Sequence, residues 1–255
     1  MKRPRRAVVR TPGDSFASAL SHHPEGHPID PERARAQHAR YRATLQRLGL
    51  EVLALPPDEE LPDSCFTQDL AIVLDGRALL CRPGAPSRRP EPPRIERTLG
   101  ELVGSLERVE PPASIEGGDV IRVGRRFVVG RSERTNDEGL GALRRFARGD
   151  AEVIPAEVPG PYLHLLSGLG VAGDAVLGSE GLIDQPAFSG LEKVTVPEDD
   201  AAGCNFVVLE GDVVMASGFS AVRKLVEDRG FRVHELDLSE FAKADGGPTC
   251  LSLLI

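Results

Sequence analysis

A chain of 255 residues, 40% hydrophobic and 27% charged, can bury a substantial core as one large domain or two small ones. Its net charge of −8 lacks the basic face that nucleic-acid binding needs, and no apolar run approaches the roughly 20 residues of a membrane helix. After the basic Met1-Lys2-Arg3-Pro4-Arg5-Arg6, Ala7-Val8-Val9 is too short for a signal-peptide core. The scattered Cys65, Cys81, Cys204 and Cys250 then read as reduced thiols of a soluble, cytoplasmic protein, neither a disulfide frame nor a zinc site.

The first apolar run, Ala7-Val8-Val9-Arg10, is a short strand. Asp30-Pro31-Glu32 opens a helix with Tyr41, Leu45 and Leu48 on one face and Gly49 as its stop, followed by a strand over 50–55. Three segments, 71–80, 120–129 and 206–215, each place two apolar runs around a glycine turn and are predicted hairpins. Leu99, Leu102, Val103 and Leu106 predict a helix after the first hairpin. Thr135 is the expected cap of a helix carrying Leu140 and Leu143, which stops at Gly149. Ser220 is the expected cap of one carrying Val222, Leu225 and Val226, which stops at Gly230. Short strands over 151–154 and 231–236 follow these helices.

The unit is hairpin, helix, strand, at a period of roughly 50 residues, which points to radial or solenoid repetition rather than an ordinary α+β sandwich. The closing strand, predicted over 250–254, has the form of half a hairpin. Its partner would be 7–10 at the other end of the chain, closing a ring.

Chemically suggestive residues fall at the edges of these units. Asp245-Gly246-Gly247-Pro248-Thr249 delivers Cys250 to the last strand, and a nucleophile needs such a glycine-rich approach for a substrate to reach it. Glu116-Gly117-Gly118-Asp119 enters the second hairpin, His164 lies in Tyr162-Leu163-His164-Leu165-Leu166, and Asp63 and Asp69 precede the first hairpin. Singly, Cys250 reads as a small buried hydrophobe, His164 as a core histidine and Asp63 as a turn residue. Together, cysteine and histidine are a nucleophile and its proton partner, and the surplus of carboxylates points to a cationic substrate. A papain-type protease would need no such acid cluster and would carry its cysteine early.

The chain resembles the dimethylarginine dimethylaminohydrolases of the guanidine-modifying superfamily. The resemblance rests on Pro62-Asp63-Ser64-Cys65-Phe66, Arg82-Pro83-Gly84-Ala85-Pro86-Ser87-Arg88, Glu116-Gly117-Gly118-Asp119-Val120, Arg134-Thr135-Asn136, Leu163-His164-Leu165, and Asp245-Gly246-Gly247 with Thr249-Cys250-Leu251. It runs nearly end to end. It implies one α/β domain over 1–255, a five-bladed ββαβ propeller around a central site. Cys250 would attack the guanidinium carbon, His164 would protonate the departing amine and then activate water, and Glu116 would orient His164. Asp69 would pair with the guanidinium and Asp63 with the α-amino group. Arg88 and Arg134 would hold the α-carboxylate, Leu20 would lie in a substrate-covering loop, and Gln68 would contact substrate where the family usually has an acid. No cofactor or metal is implied. The partner is a small methylated arginine, with a homodimer left open.

Arginine deiminases carry an aspartate two residues after the histidine, where this chain has Leu166, which favours a methylated substrate. An amidinotransferase, generally longer, fits less well. A catalytically silent guanidine-binding protein is the alternative from another class, and the joint presence of Cys250, His164 and Glu116 speaks against it.

Overall fold

The computed structural model describes residues 4–22 and 28–255. The chain builds β1 (Arg6–Arg10), α1 (Pro31–Arg47), β2 (Glu51–Leu55), β3 (Ala71–Leu74), β4 (Arg77–Leu80), α2 (Glu91–Leu102) and β5 (Ser105–Arg108). It continues through β6 (Val120–Val123), β7 (Arg126–Arg131), α3 (Asp137–Ala147), β8 (Glu152–Glu157), β9 (Leu169–Ala172), β10 (Ala175–Gly178), α4 (Glu180–Ile183) and β11 (Glu192–Thr195). Then come β12 (Phe206–Leu209), β13 (Asp212–Ala216), α5 (Ser220–Glu227), β14 (Arg232–Leu236), α6 (Ser239–Ala242) and β15 (Leu253–Leu254). No helix among the described residues is long and apolar enough to cross a membrane.

These strands form five three-stranded sheets of one design. An antiparallel pair is followed by a helix and a third strand that returns parallel to the second, as in β3-β4-β5, β6-β7-β8, β9-β10-β11 and β12-β13-β14. The fifth sheet, β15-β1-β2, takes its antiparallel pair from the two ends of the chain, with Ala7 opposite Leu254 and Val8 opposite Leu253. That pairing joins the last sheet to the first.

Side-chain alternation then packs each sheet against both neighbours. In β7, Phe127 and Val129 join one apolar cluster with β3 and β4, while Val128 joins another with β9 and β10. In β13, Val213 and Met215 face β10, and Val214 faces β1 and α1. Five such clusters fill the five spaces between sheets. The first strand of every sheet lines a shared cavity of about 710 Å³, with Ile72, Val120, Gly170, Phe206 and Leu253 among its walls. The architecture is the five-bladed α/β propeller.

Local details depart from expectation. Asp30 caps α1 as expected, accepting from the N–H groups of Glu32 and Arg33. However, α2 ends at Leu102, because Val103 is extended and Leu106 joins β5 opposite Ala78. Strand pairing there overrides the helical spacing. Helix α3 is capped by Asn136, whose side chain accepts from Gly139 N–H. The Thr135 hydroxyl is already given to Asp119. Ser220 is the first residue of α5, and Phe219 precedes it without a side-chain cap. Cys250 lies on a 3₁₀ turn, Pro248–Leu251, and the strand beyond it is only Leu253–Leu254.

Candidate active site

Each first strand is entered through a short 3₁₀ turn: Thr67–Leu70 before β3, Gly117–Asp119 before β6, Leu165–Ser167 before β9, Glu198–Cys204 before β12 and Pro248–Leu251 before β15. Such turns are tight and run for only a few residues, so they redirect the chain without extending it. The turn bearing Cys250 packs on the one bearing Asp69, that on Gly117–Asp119, and that in turn on the one after His164. Asn205, at the end of the fourth turn, closes the circle by accepting from Thr249 N–H and Oγ1–H at 2.9 Å. The propeller therefore presents one polar side chain per blade, Cys250, Asp69, Glu116, His164 and Asn205, at one end of its axis.

Glycines set how closely these turns nest. A Cβ on Gly117 would lie 2.1 Å from Gln68 O, and one on Gly118 would lie 2.8 Å from Asp69 Oδ1 and from the His164 ring. A Cβ on Gly246 would meet the Phe66 ring at 2.4 Å, and one on Gly247 would meet Asn205 at 2.5 Å. What comes close to these backbones is the protein's own atoms, the Gln68 carbonyl at Gly117 and side chains at the other three.

His164 Nε2 lies 2.7 Å from Glu116 Oε2, both side chains buried. Glu116 Oε1 accepts from Gly84 N–H at 2.9 Å. Burial works against the His164 charge, but Asp69, Asp119 and Glu116 outweigh it and hold the imidazole well above its ordinary value. Burial likewise works against the Glu116 charge, and the bond from His164 with the charges of His164, Arg88 and Arg134 overrides it and holds the carboxyl down. The resting pair is an imidazolium and a carboxylate. Burial pushes the Cys250 thiol up and the Asp69 charge adds to this. The donors turned toward its sulfur, Gly247 N–H at 3.5 Å and Asn205 Nδ2 at 3.8 Å, pull the other way. Without a further cation beside it, Cys250 rests as a thiol.

Cys250 and His164 line one small pocket with Leu20, Asp63, Asp69, Arg88 and Arg134. Leu20, 39% exposed, is tied across it by its N–H to Asp63 Oδ1 at 3.0 Å, and the following His22 N–H bonds Asp245 Oδ2 at 2.7 Å. The two arginines differ. Arg88 spends its guanidinium inward, on Asp69 Oδ2 at 2.8 Å, on both oxygens of Glu91 and on Phe66 O. Its Nη1 also stands 3.7 Å from Glu116 Oε2. Asp69 and Glu116 both stand beside the Arg88 cation. The side chain of Arg134 has no hydrogen-bond or ion-pair partner among the described residues, and its cation is free for an anion.

Three comparisons bear on this site. The family model of eukaryotic N,N-dimethylarginine dimethylhydrolase matches residues 12–161. The N(G),N(G)-dimethylarginine dimethylaminohydrolase of Pseudomonas aeruginosa is 34% identical over 252 residues, covering 96% of this chain and 97% of that one. The Streptomyces coelicolor enzyme of the same name is also 34% identical over 252 residues, covering 98% and 96%. This chain belongs to the dimethylarginine dimethylaminohydrolase family. Over the whole of both chains it superposes, with a TM-score of 0.95 and 32% identity, on a cysteine-to-serine variant of the Pseudomonas dimethylarginine dimethylaminohydrolase complexed with citrulline.

In this member of the dimethylarginine dimethylaminohydrolase family the fold brings together Cys250, His164, Asp63, Asp69, Arg88, Arg134 and Leu20, with Glu116 directly behind His164. Gln68 is not among the residues brought to that pocket. It lines the cavity on the strand side of the turns, donates to Gly117 O at 2.8 Å and keeps its buried Oε1 without a partner among the described residues. Neighbours on a 3₁₀ turn diverge, so Asp69 takes the pocket and Gln68 the opposite side. Arg88 lines the pocket, with most of its fork occupied by Asp69 and Glu91. Sequence reading missed Asn205, Glu91 and the pocket-lining Phe66 and Asp245. Asn205 had a signal, for it stands immediately before a predicted hairpin, as Asp69 and Glu116 stand shortly before theirs.

Proposed function

We propose that this protein hydrolyses Nω-methylated arginines to citrulline and a methylated amine through a covalent intermediate on Cys250. The observation that carries this reading is the charge around the nucleophile. Four buried carboxylates, Asp63, Asp69, Glu116 and Asp119, stand against two arginines and one imidazolium, while burial pushes the Glu91 carboxyl up to about 7, so a cation is favoured beside the sulfur. A guanidinium there completes the balance and favours the thiolate, so that Cys250 gives its proton up to solvent as the substrate binds.

In the first half, Sγ attacks the guanidinium carbon. The C–N bond to the methylated nitrogen then breaks as the His164 imidazolium hands its proton to the departing amine. In the second half, neutral His164 takes a proton from water, the oxygen attacks the thiouronium carbon, and the Cys250 thiolate leaves as citrulline forms. Glu116 keeps the ring oriented in both halves. Asp69 takes the guanidinium, Asp63 the α-amino group and Arg134 the α-carboxylate, while Arg88 fixes the Asp69 carboxylate. Leu166 lies on the far side of the turns from the pocket, where it demands no unmethylated nitrogen.

Citrulline release from asymmetric dimethylarginine, monomethylarginine, arginine and agmatine tests the reading, with the two methylated arginines expected to turn over best. Cys250→Ser should bind citrulline while losing at least about a hundredfold in turnover, since a hydroxyl of the same size is far less acidic than a thiol. A serine variant retaining wild-type rates, or a preference for free arginine, overturns the reading.

A further inference from the structure

We propose that Asp119 is a positioning residue of this reaction, a buried carboxylate that ties the supports of His164, Glu116 and Arg134 to one point. The inference rests on the hydrolase reading above and extends it to a side chain that does not line the substrate pocket. Asp119 is fully buried on the turn between Glu116 and β6. Its Oδ1 accepts the N–H of Leu165, next to His164, at 3.1 Å. Its Oδ2 accepts the hydroxyls of Ser132 and Thr135, both at 2.6 Å.

Each hydroxyl passes the connection on. Ser132 Oγ accepts from Arg134 N–H at 3.0 Å, and Thr135 Oγ1 accepts from Glu116 N–H at 3.2 Å. One carboxylate thus reaches, through a single intermediate group or directly through the neighbouring amide, the acid-base residue, its orienting partner and the arm for the α-carboxylate. Gly130 keeps the space open, since a Cβ there would come within 2.9 Å of Asp119 Oδ1. Both hydroxyls at Oδ2 must donate to it, which fixes their lone pairs toward the two amides.

A carboxylate used only to complete a turn would need none of this convergence. The charge has a second consequence. The anions bearing on His164 are Asp69, Asp119 and Glu116, with the cations Arg88 and Arg134 around Glu116 and Cys250 lining the same pocket. Asp119 is therefore one of three anions that keep the imidazole protonated, and it does so without occupying the pocket.

The test uses Asp119→Asn in the full chain, with Ser132→Ala and Thr135→Val to separate the two arms. Asp119→Asn should retain the circular dichroism of the wild type and lose on the order of a hundredfold in kcat/KM for dimethylarginine, as expected of a displaced catalytic frame. The His164 ring, titrated by NMR, should deprotonate at lower pH than in the wild type. Ser132→Ala should raise KM for dimethylarginine at nearly constant kcat, and Thr135→Val should lower kcat at nearly constant KM. Asp119→Asn with wild-type kcat, KM and His164 titration overturns the proposal, even where its melting temperature falls. If Asp119→Asn does not fold, equal effects of the two arm variants on KM and kcat overturn it instead. A wild type that releases no citrulline defeats the hydrolase reading, and the His164 titration then decides on Asp119 alone.

Discussion

Removing Arg134 and removing Arg88 should have different consequences, although both belong to motifs of the same kind. Arg134 lines the pocket with a guanidinium that has no hydrogen-bond or ion-pair partner among the described residues, and the proposed role for it is to hold the substrate's α-carboxylate. Truncating one partner of a desolvated charged pair costs about 2–5 kcal/mol. At about 1.4 kcal/mol per tenfold, Arg134→Ala should lower kcat/KM for dimethylarginine by roughly 30- to 3,000-fold, mostly through KM. Nω-methylated agmatine has the same guanidinium and no carboxylate, so its already low kcat/KM should hold. Arg88→Ala instead strands Asp69 and Glu91, both buried, without their cation. Breaking buried pairs of this kind costs about 3–5 kcal/mol. At about 2–4 °C per kcal/mol for a chain of this size, the melting temperature should drop by roughly 6–20 °C, and both substrates should suffer. The assay is ureido-product formation from each substrate by wild type and two variants, with a melting curve for each protein. Equal losses on both substrates in Arg134→Ala, or an unchanged melting temperature in Arg88→Ala, would refute the assignment.

Gly118→Ala should lower turnover by at least about a hundredfold with the circular dichroism preserved, because its Cβ would sit 2.8 Å from both Asp69 Oδ1 and the His164 ring. Wild-type rates in that variant would show that the nesting of the two turns is not needed. Glu116→Gln keeps a hydrogen bond to His164 and removes a charge, so the basic limb of kcat/KM should move toward neutrality by at least about one pH unit. The sign for stability is that of a raised histidine, up from 6.5 to about 9. The wild type's advantage over Glu116→Gln should be full between about pH 4.5 and 6.5, fade as pH rises through 9, and fade again as pH falls through about 2. A basic limb that stays in place assigns it to another group.

The ring closure was legible because β15 lacks a partner in its own neighbourhood and 7–10 lacks one in its own, and a half-hairpin at each end satisfies both. Three of the four continuous blades were legible from glycine turns between apolar runs. The blade β9-β10-β11 was missed because its helix α4 is a single turn, Glu180–Ile183, too short for any periodicity. Its hairpin was nonetheless written in Leu169-Gly170-Val171-Ala172 and the left-handed Gly173. Helix α2 was extended too far because Leu106 suits a helix and a strand face equally. Only the pairing with Ala78 across the blade chooses between them.

In the site, residue types were legible and their pairings were not. The glycines of Glu116-Gly117-Gly118-Asp119 read as an approach path for substrate, yet the atoms they admit are those of Gln68, Asp69 and His164. Arg88 and Arg134 look equivalent as charges in a chain. What separates them is Glu91, one helical turn after Arg88, and Asp69 on the adjacent 3₁₀ turn, which together claim the first guanidinium and leave the second exposed to the pocket. Burial makes that claim binding, since a desolvated carboxylate without a cation is costly and each such acid must find one. Once Arg88 is committed to Asp69 and Glu91 and the His164 imidazolium to Glu116, the acids of the pocket still outnumber their cations. The acid surplus that marks the substrate as cationic is therefore what remains after the fold has neutralised its own charges, and that remainder can be counted only in three dimensions.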